Sequence, residues 1–278
     1  MTPLRDLSTL LSPSLLIPPI KATLYDHFAA RQTIRPTLDP HAGALHWGNA
    51  WLMAEASLLA YHAPVDALAI GAVAGFTAIS ITALKSFDAY VLHNDAIIIV
   101  AFRGTELKSN FLQPILDWHA NLAFDLVSRP GLPGRVHHGL ADGAIALSGQ
   151  IDDILRELQA VRARPVWLTG HSQGGALATL MGAKLTDCQG VYTFGAPRVG
   201  DQAFKDAYST PLWRICNQDD PVSRVPFEWV LGYRHVGQSV WFDSATHCLI
   251  DVEPTEVSIP NPLDHAPVLY SALAWNQA

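Results

Sequence analysis

The sequence predicts an α/β fold, with a mostly parallel central sheet and helices on both faces. Short apolar stretches typical of buried strands alternate along the chain with stretches whose apolar residues recur at helical spacing. One strand, over 96–102, is apolar on both faces, which is typical of a position in the middle of a sheet. In addition, a glycine-rich turn around Ser172 joins a predicted strand directly to a predicted helix.

The N-terminal segment is expected to be an arm that lies over the body of the protein. The first forty residues are rich in proline and leucine and show no sustained periodicity. From Trp47 to Tyr61, apolar residues recur at helical spacing, which predicts a core-facing helix that ends before Pro64. The sequence therefore predicts an arm over 1–46 and one domain over 47–278.

The stretch from Ala67 to Leu84 contains 18 residues without a charge, which is the lower limit for a transmembrane helix. Gly71 and Gly75 interrupt its first half, and its second half alternates with a period of two, as strands do. We expect the end of a buried helix followed by a strand. A membrane span is the alternative.

The remaining elements alternate in type. Apolar strand patterns occur at 90–92, 96–102, 166–169, 190–194 and 212–216. The first two flank a short polar turn and predict a hairpin. Helical patterns lie around 151–160 and 176–185. Strands that alternate with helices predict parallel pairing, with both faces of the sheet covered.

Composition and charge exclude several classes of partner. A net charge of -7 and a pI near 5.9 indicate no basic patch for nucleic acid or anionic lipid headgroups. Cys188, Cys216 and Cys248 are odd in number and widely spaced, so we expect buried free thiols and neither a disulfide framework nor a metal site. Prolines and serines interrupt the apolar residues of 1–20, so no convincing secretory signal is seen and a cytoplasmic location is expected.

The turn around Ser172 matches the G-x-S-x-G pattern. Between a strand and a small-residue helix, this pattern is typical of a nucleophile elbow, which exposes a serine at the top of a sheet. Gly170 and Gly174 suit a turn in which two backbone segments approach closely. The N–H of Gln173, at the start of the helix, would favour negative charge in the same space. The alternative is a glycine-rich connection without chemistry.

A serine hydroxyl needs a base, and the base needs an orienting carboxylate. Asp220 follows the strand over 212–216 in a loop held by a proline, with Asp219 as the local alternative. Among the histidines, His265 lies in a late loop before a closing apolar segment, which gives the order Ser, Asp, His expected of α/β hydrolases. Most other histidines are expected to be structural.

A second donor to a developing oxyanion is expected after a central strand. Thr105 follows the strand over 96–102 and offers both an amide and a hydroxyl. The alternative is an ordinary turn in which Arg103 forms a structural ion pair.

Over about Trp47 to Tyr270, the chain resembles the class 3 lipases, the fungal-lipase-like branch of the α/β-hydrolase superfamily. The motifs that carry the resemblance lie at 98–105, 118–122, 136–139, 170–175 and 193–201. Leu140 and Ser223 depart from the usual pattern. The resemblance implies an α/β-hydrolase fold and leaves export open. The site residues that it implies are the nucleophile Ser172, the acid Asp220, the base His265 and the oxyanion donors Thr105 and Gln173.

The resemblance also implies a lid between Thr105 and Trp118. Apolar residues recur there at roughly helical spacing, at Leu107, Phe111, Leu112, Ile115 and Leu116. Such a lid would cover the acyl groove in water and expose an apolar face at a lipid surface. The alternative is an amphipathic helix packed permanently on the body.

The expected function is that of a lipase, a serine carboxylic-ester hydrolase that cleaves acylglycerols through an acyl-enzyme and needs neither cofactor nor metal. The alternatives are an esterase or phospholipase on shorter or more polar esters and, more remotely, a non-catalytic interaction protein. The expected partners are a lipid or small ester substrate and a transiently contacted lipid interface, with no nucleic acid.

Overall fold

A computed structural model describes residues 3–84, 86–105, 125–226, 228–253 and 259–278, with the backbone alone at 229 and 230. Its strands are β1 (Thr77–Ala83), β2 (Phe87–His93), β3 (Ile98–Phe102), β4 (Leu126–Val127), β5 (Val136–His137), β6 (Val166–His171), β7 (Gly190–Phe194), β8 (Leu212–Asn217), β9 (Gln238–Phe242) and β10 (Cys248–Ile250). Its α-helices are α1 (Pro13–Leu16), α2 (Trp47–Leu59), α3 (Pro64–Val73), α4 (His138–Val161), α5 (Gln173–Lys184), α6 (Gln202–Ala207), α7 (Glu228–Leu231) and α8 (Pro267–Gln277). Short 3-10 helices lie at Leu7–Leu10, His27–Ala29, Val222–Arg224 and Pro262–His265.

Eight of these strands form the central sheet, in the order β1-β2-β3-β6-β7-β8-β9-β10. Within this sheet, β3, β6, β7, β8 and β9 pair in parallel with their neighbours in that order. The strands β1, β2 and β10 pair antiparallel at the two edges. All five residues of β3 are buried between β2 and β6, as expected of a strand that is apolar on both faces. The predicted α/β class and mostly parallel sheet are confirmed.

Alternate side chains of the buried strands enter two separate cores. On β6, Trp167 belongs to a core formed with α2 and α8, while Val166 and Leu168 belong to a core formed with α4 and α5. The first core is rich in aromatic rings, and Tyr192 stacks on Trp213 with their ring centroids 4.8 Å apart. The second core is mostly aliphatic. Both faces of the sheet are therefore covered, which fixes the strand ends that carry the site.

The uncharged stretch over 67–84 folds into the second part of α3 and strand β1. Strand β1 pairs with β2 along its whole length, so this stretch is not a single helix and the membrane-span alternative was wrong. Within the described ranges, no helix has both the length and the apolar character that a bilayer span requires.

The N-terminal segment is fastened to the body at one buried carboxylate. Glu55 of α2 is fully buried and accepts hydrogen bonds from the hydroxyls of Tyr25, at 2.6 Å, and Ser271. The guanidinium of Arg5 lies 3.6 Å from the same carboxylate and stacks over Trp275 of α8 at 4.1 Å. Because a buried charge is stable only with such partners, this cluster fixes the segment against α2 and α8. The division at residue 46 stays a prediction.

Candidate active site

Ser172 forms the turn between β6 and α5. Its backbone has φ 58° and ψ -129°, a conformation that glycine adopts readily and that strains other residues. A side-chain carbon on Gly170 would overlap the backbone of Gly174, so the turn closes only because glycine stands there. The amide of Ser172 donates to the carbonyl of Phe194 at 2.9 Å and ties the turn to the end of β7. The tight strand-to-helix geometry predicted from the motif is present.

Asp220 and His265 form a fully buried hydrogen-bonded pair. The Nδ1 atom of His265 lies 2.8 Å from Oδ2 of Asp220. The carboxylate also accepts hydrogen bonds from the Tyr270 hydroxyl, at 2.5 Å, and from the Val222 amide, at 2.8 Å. With Nδ1–H donated to Asp220, the Nε2 atom of His265 is left as an acceptor.

That Nε2 atom is buried and has no hydrogen-bond partner among the described residues. The hydroxyl of Ser172 therefore does not make the direct hydrogen bond to His265 that a working triad needs. Such bonds are often long or poorly aligned in enzymes without substrate. The structure thus joins Asp220 to His265 directly and leaves the hydroxyl of Ser172 outside this hydrogen-bonded pair.

The residue before the serine, His171, connects the elbow to the loop of His265. Its Nε2 lies 2.7 Å from the carbonyl oxygen of His265, and its Nδ1 lies 2.8 Å from the hydroxyl of Tyr61. Burial, together with the nearby His265, lowers the pKa of His171 well below its usual range, so the ring is neutral. The neutral ring donates from Nε2 to the carbonyl of His265 and accepts at Nδ1 from the hydroxyl of Tyr61. This bridge positions the backbone of His265.

Thr105 and Gln173 lie together beside the elbow. The hydroxyl of Thr105 donates to Oε1 of Gln173 at 3.1 Å. Because Gln173 begins α5, its N–H has no acceptor within the helix. Arg103 also forms the structural ion pair considered above, with Nη1 2.8 Å from Oδ2 of Asp88. The ion pair of Arg103 agrees with the interpretation of this segment as a structural turn, and the contact between Thr105 and Gln173 is compatible with a role in binding an oxyanion. That oxyanion role stays a prediction.

No role was predicted for Asn217 or Tyr270 from the sequence. In the structure, the amide N–H of Asn217 donates to the Tyr270 hydroxyl at 3.2 Å, and its side chain donates to the carbonyl of Asp264 at 3.0 Å. The two residues therefore connect the end of β8 to the loop that carries His265. The contact of Tyr61 with His171 was not predicted either.

Most of the other histidines and the cysteines have structural surroundings. His235 lies 2.7 Å from the carbonyl of Ser223, and His247 is paired with Asp243. The cysteines are free thiols, but only Cys216 is fully buried, so the expectation that all three are buried was wrong. Over the described ranges, no group of His, Cys, Asp or Glu side chains is arranged to hold a metal ion. The predicted lid residues and the motif at 118–122 lie outside the described residues.

Asp264, next to the proposed base, has a perturbed acidity. It is buried, with Oδ2 3.1 Å from the amide of Asp219 and Oδ1 2.9 Å from the side-chain nitrogen of Asn261. Burial raises the pKa of this carboxyl from 3.8 to about 6, and the nearby charges of Asp219 and Asp220 act in the same direction.

We expect Asp264 to lower the stability of the protein as pH rises. A pKa that is higher in the folded state stabilises that state fully below about pH 4, and this contribution is lost as pH rises through about 6. The free energy of unfolding of the wild type, minus that of Asp264→Asn, should fall by about 3 kcal/mol in total from about pH 3 to about pH 7. Urea denaturation at a series of pH values measures it. A difference that does not change with pH would contradict the prediction, and the exposed Asp153 provides a control substitution.

Known proteins are similar to this chain in sequence and in architecture. The family model described as Lipase (class 3) matches residues 99–229. A lipase of Rhizomucor miehei is 29% identical over 197 residues, which are 64% of this chain and 52% of the relative. Secreted mono- and diacylglycerol lipase 1 of Fusarium solani is 31% identical over 194 residues, with the same coverage of 64% and 52%.

A solved structure of the Rhizomucor miehei triacylglyceride lipase has the same overall architecture. It superposes with a TM-score of 0.64 at 25% sequence identity, covering 78% of this chain and 91% of that one. The chain spans about half the length of the curated relatives that it matches.

Proposed function

The chain belongs to the class 3 lipase family and has the α/β-hydrolase fold, and on this basis we propose that it is a serine hydrolase of acylglycerol esters. Ser172 is the proposed nucleophile, His265 the base and Asp220 the carboxylate that orients the base. The amides of Thr105 and Gln173 are the proposed oxyanion donors.

One observation carries this proposal. The buried Asp220–His265 pair leaves an Nε2 atom without a partner among the described residues, and the neighbouring His171 bridge links that loop to the strained serine turn. A buried imidazole with a carboxylate at one nitrogen and no partner at the other is suited to accept a proton. Strain at the adjacent serine is typical of a nucleophile elbow.

In the proposed reaction, Oγ of Ser172 bonds to the ester carbonyl carbon while its proton moves to Nε2 of His265. The carbonyl oxygen becomes an oxyanion, which the amides of Thr105 and Gln173 stabilise. The ester C–O bond then breaks, and the leaving alcohol takes the proton from Nε2. Water attacks the acyl-enzyme by the same route and releases the acid. The serine-to-imidazole hydrogen bond is expected to form when substrate binds.

The relatives support acylglycerols as substrates, since one is a lipase and another is a mono- and diacylglycerol lipase. The buried pair of Asp220 and His265, together with the serine turn, would support hydrolysis of shorter esters or phospholipids equally well. Rates on long-chain acylglycerols, on short soluble p-nitrophenyl esters and on phosphatidylcholine separate these substrate classes. A preference for long-chain acylglycerols is expected, and faster hydrolysis of short soluble esters would favour an esterase.

Covalent labelling tests the nucleophile directly. We expect an alkyl p-nitrophenyl phosphonate to add one phosphonyl group per chain, on the peptide that contains Ser172, with release of p-nitrophenol. Intact-protein and peptide mass spectrometry measure the label, and Ser172→Ala serves as the matched control. A folded wild-type protein that stays unlabelled, or that is labelled equally after the substitution, would exclude Ser172 as the nucleophile.

A further inference from the structure

A cavity of about 390 Å³ lies beside β8, and five of its eleven described lining residues are cationic. None of the five residues proposed for catalysis lines it. Its cationic residues are Arg198, Lys205, Arg214, Arg224 and Arg234. The chain has 18 lysines and arginines in all and a net charge of -7, so this concentration is local. A negative net charge is compatible with such a cluster, because net charge carries no information about the position of charged residues.

The carboxylates of the cavity do not balance these charges. Glu228 and Glu253 line it, and their side chains are 49% and 53% exposed. Among the described lining residues, five positive and two negative side chains leave an excess of three positive charges. Glu228 is paired with Arg198 and Arg234, and Glu253 is paired with Arg214. Asp219 lies outside the lining and pairs with Arg224 at 2.8 Å.

Arg214 is buried and Arg198 is partly buried, and the Nε atom of each has no hydrogen-bond partner among the described residues. The side chain of Arg214 is 4% exposed; it pairs with Glu253 and contacts the sulfur of Cys216, but its Nε has no partner among the described residues. Arg198 donates from Nη1 to two backbone carbonyls, and its buried Nε is likewise without a partner in the described part of the chain. A buried donor without an acceptor is costly, so the inner wall lacks an acceptor group.

Histidine does not supply further charge here. His235 lines the cavity, and burial, together with the charges of Arg214 and Arg198, lowers its pKa well below the usual range. Its Nε2 donates to the carbonyl of Ser223 at 2.7 Å. The positive charge of the cavity therefore comes from the arginines and the lysine.

We propose that this cavity binds a phosphate oxyanion. A tetrahedral oxyanion offers several acceptor oxygens, and the planar guanidinium group binds phosphate through paired N–H donors. The volume lies within the range of small-molecule sites and leaves room for an organic group attached to the phosphate. Free phosphate, a phosphomonoester and a phospholipid headgroup share this chemistry.

The site is separate from ester hydrolysis but has one link to it. The hydroxyl of Ser223, which lines the cavity, donates to the carbonyl oxygen of Asp220 at 3.0 Å. A bound oxyanion would therefore lie near Ser223, whose hydroxyl is hydrogen-bonded to the loop that holds the proposed carboxylate. Binding itself does not depend on any catalytic role of Ser172.

Binding of inorganic phosphate tests the proposal. In the wild type, phosphate should raise the Tm saturably and give a calorimetric binding isotherm, while sodium chloride at the same ionic strength should not. Lys205 is exposed, so Lys205→Gln should fold, and it should weaken phosphate binding about tenfold, as the loss of one charged contact does. The exposed Arg156 on α4 provides the matched control, and Arg156→Gln should bind phosphate as the wild type does.

Equal responses to phosphate and chloride, or equal phosphate affinity in the Lys205→Gln and Arg156→Gln variants, would overturn the proposal.

Vesicles of phosphatidylcholine with and without phosphatidic acid then identify the source of the bound phosphate group. Retention on phosphatidic acid that is competed by phosphate and reduced by Lys205→Gln indicates a headgroup site. Phosphate binding without such retention indicates a site for soluble phosphate compounds. Phosphonate labelling of Ser172 should be unchanged in Lys205→Gln, so failure of this proposal is distinguishable from failure of the proposed hydrolysis.

Discussion

Replacement of Ser172 by alanine is expected to lower kcat for ester hydrolysis by about a millionfold, as loss of the nucleophile does in serine hydrolases. The remaining rate would come from substrate binding and from the oxyanion donors, which the substitution leaves in place. Single-turnover kinetics on a p-nitrophenyl ester measure the effect, and circular dichroism checks that the variant is folded.

A second serine provides the control. Ser148 of α4 is buried, and its hydroxyl donates to the carbonyl of Ile145 at 2.9 Å, so Ser148→Ala removes a hydroxyl from another part of the protein. Its kcat should equal that of the wild type. If Ser172→Ala kept most of the wild-type rate, another group would have to be the nucleophile.

Asp220→Asn is expected to lower kcat by about ten-thousandfold. An amide nitrogen at the position of Oδ2 would donate to Nδ1 of His265 and place the ring proton on Nε2, where it blocks acceptance of the serine proton. It would also face the Tyr270 hydroxyl, which now donates to that oxygen at 2.5 Å. The pH profile of kcat/KM, together with kcat, distinguishes this tautomer effect from simple unfolding.

The neighbouring carboxylate gives a matched comparison. Asp219 is 34% exposed and paired with Arg224 at 2.8 Å, so Asp219→Asn should change kcat far less than Asp220→Asn does. A larger loss from Asp219→Asn would transfer the orienting role to the alternative acid.

Buried strands were the most predictable part of the fold. Strands β3, β6, β7 and β8 are fully buried and mostly apolar because both faces of a central parallel strand are covered. Strand β9 and the edge strand β10 were not predicted, since both are short and contain partly exposed residues that weaken the pattern. Helix α4 begins at His138, well before the periodic part that predicted it, because glycines and polar residues weaken the signal in its first turns.

The candidate site was predictable where chain order and strand ends determine position. Asp220 and His265 follow strands or loops at the expected places, and the structure brings them to 2.8 Å. The bridge from Tyr61 through His171 was not predictable, because its two residues are 110 positions apart and neither belongs to a polar motif of its own. Contacts of this kind depend on how α2 packs on the sheet, which periodicity does not specify.

The strained backbone at Ser172 has a consequence for efforts to improve the protein. Glycine would adopt φ 58° and ψ -129° without the penalty of about 1–3 kcal/mol that a residue with a side chain carries there. A library screened only for thermal resistance would therefore enrich glycine at this position and yield robust but inert variants. Thermostability selection on this scaffold should keep codon 172 constant or include turnover in the screen.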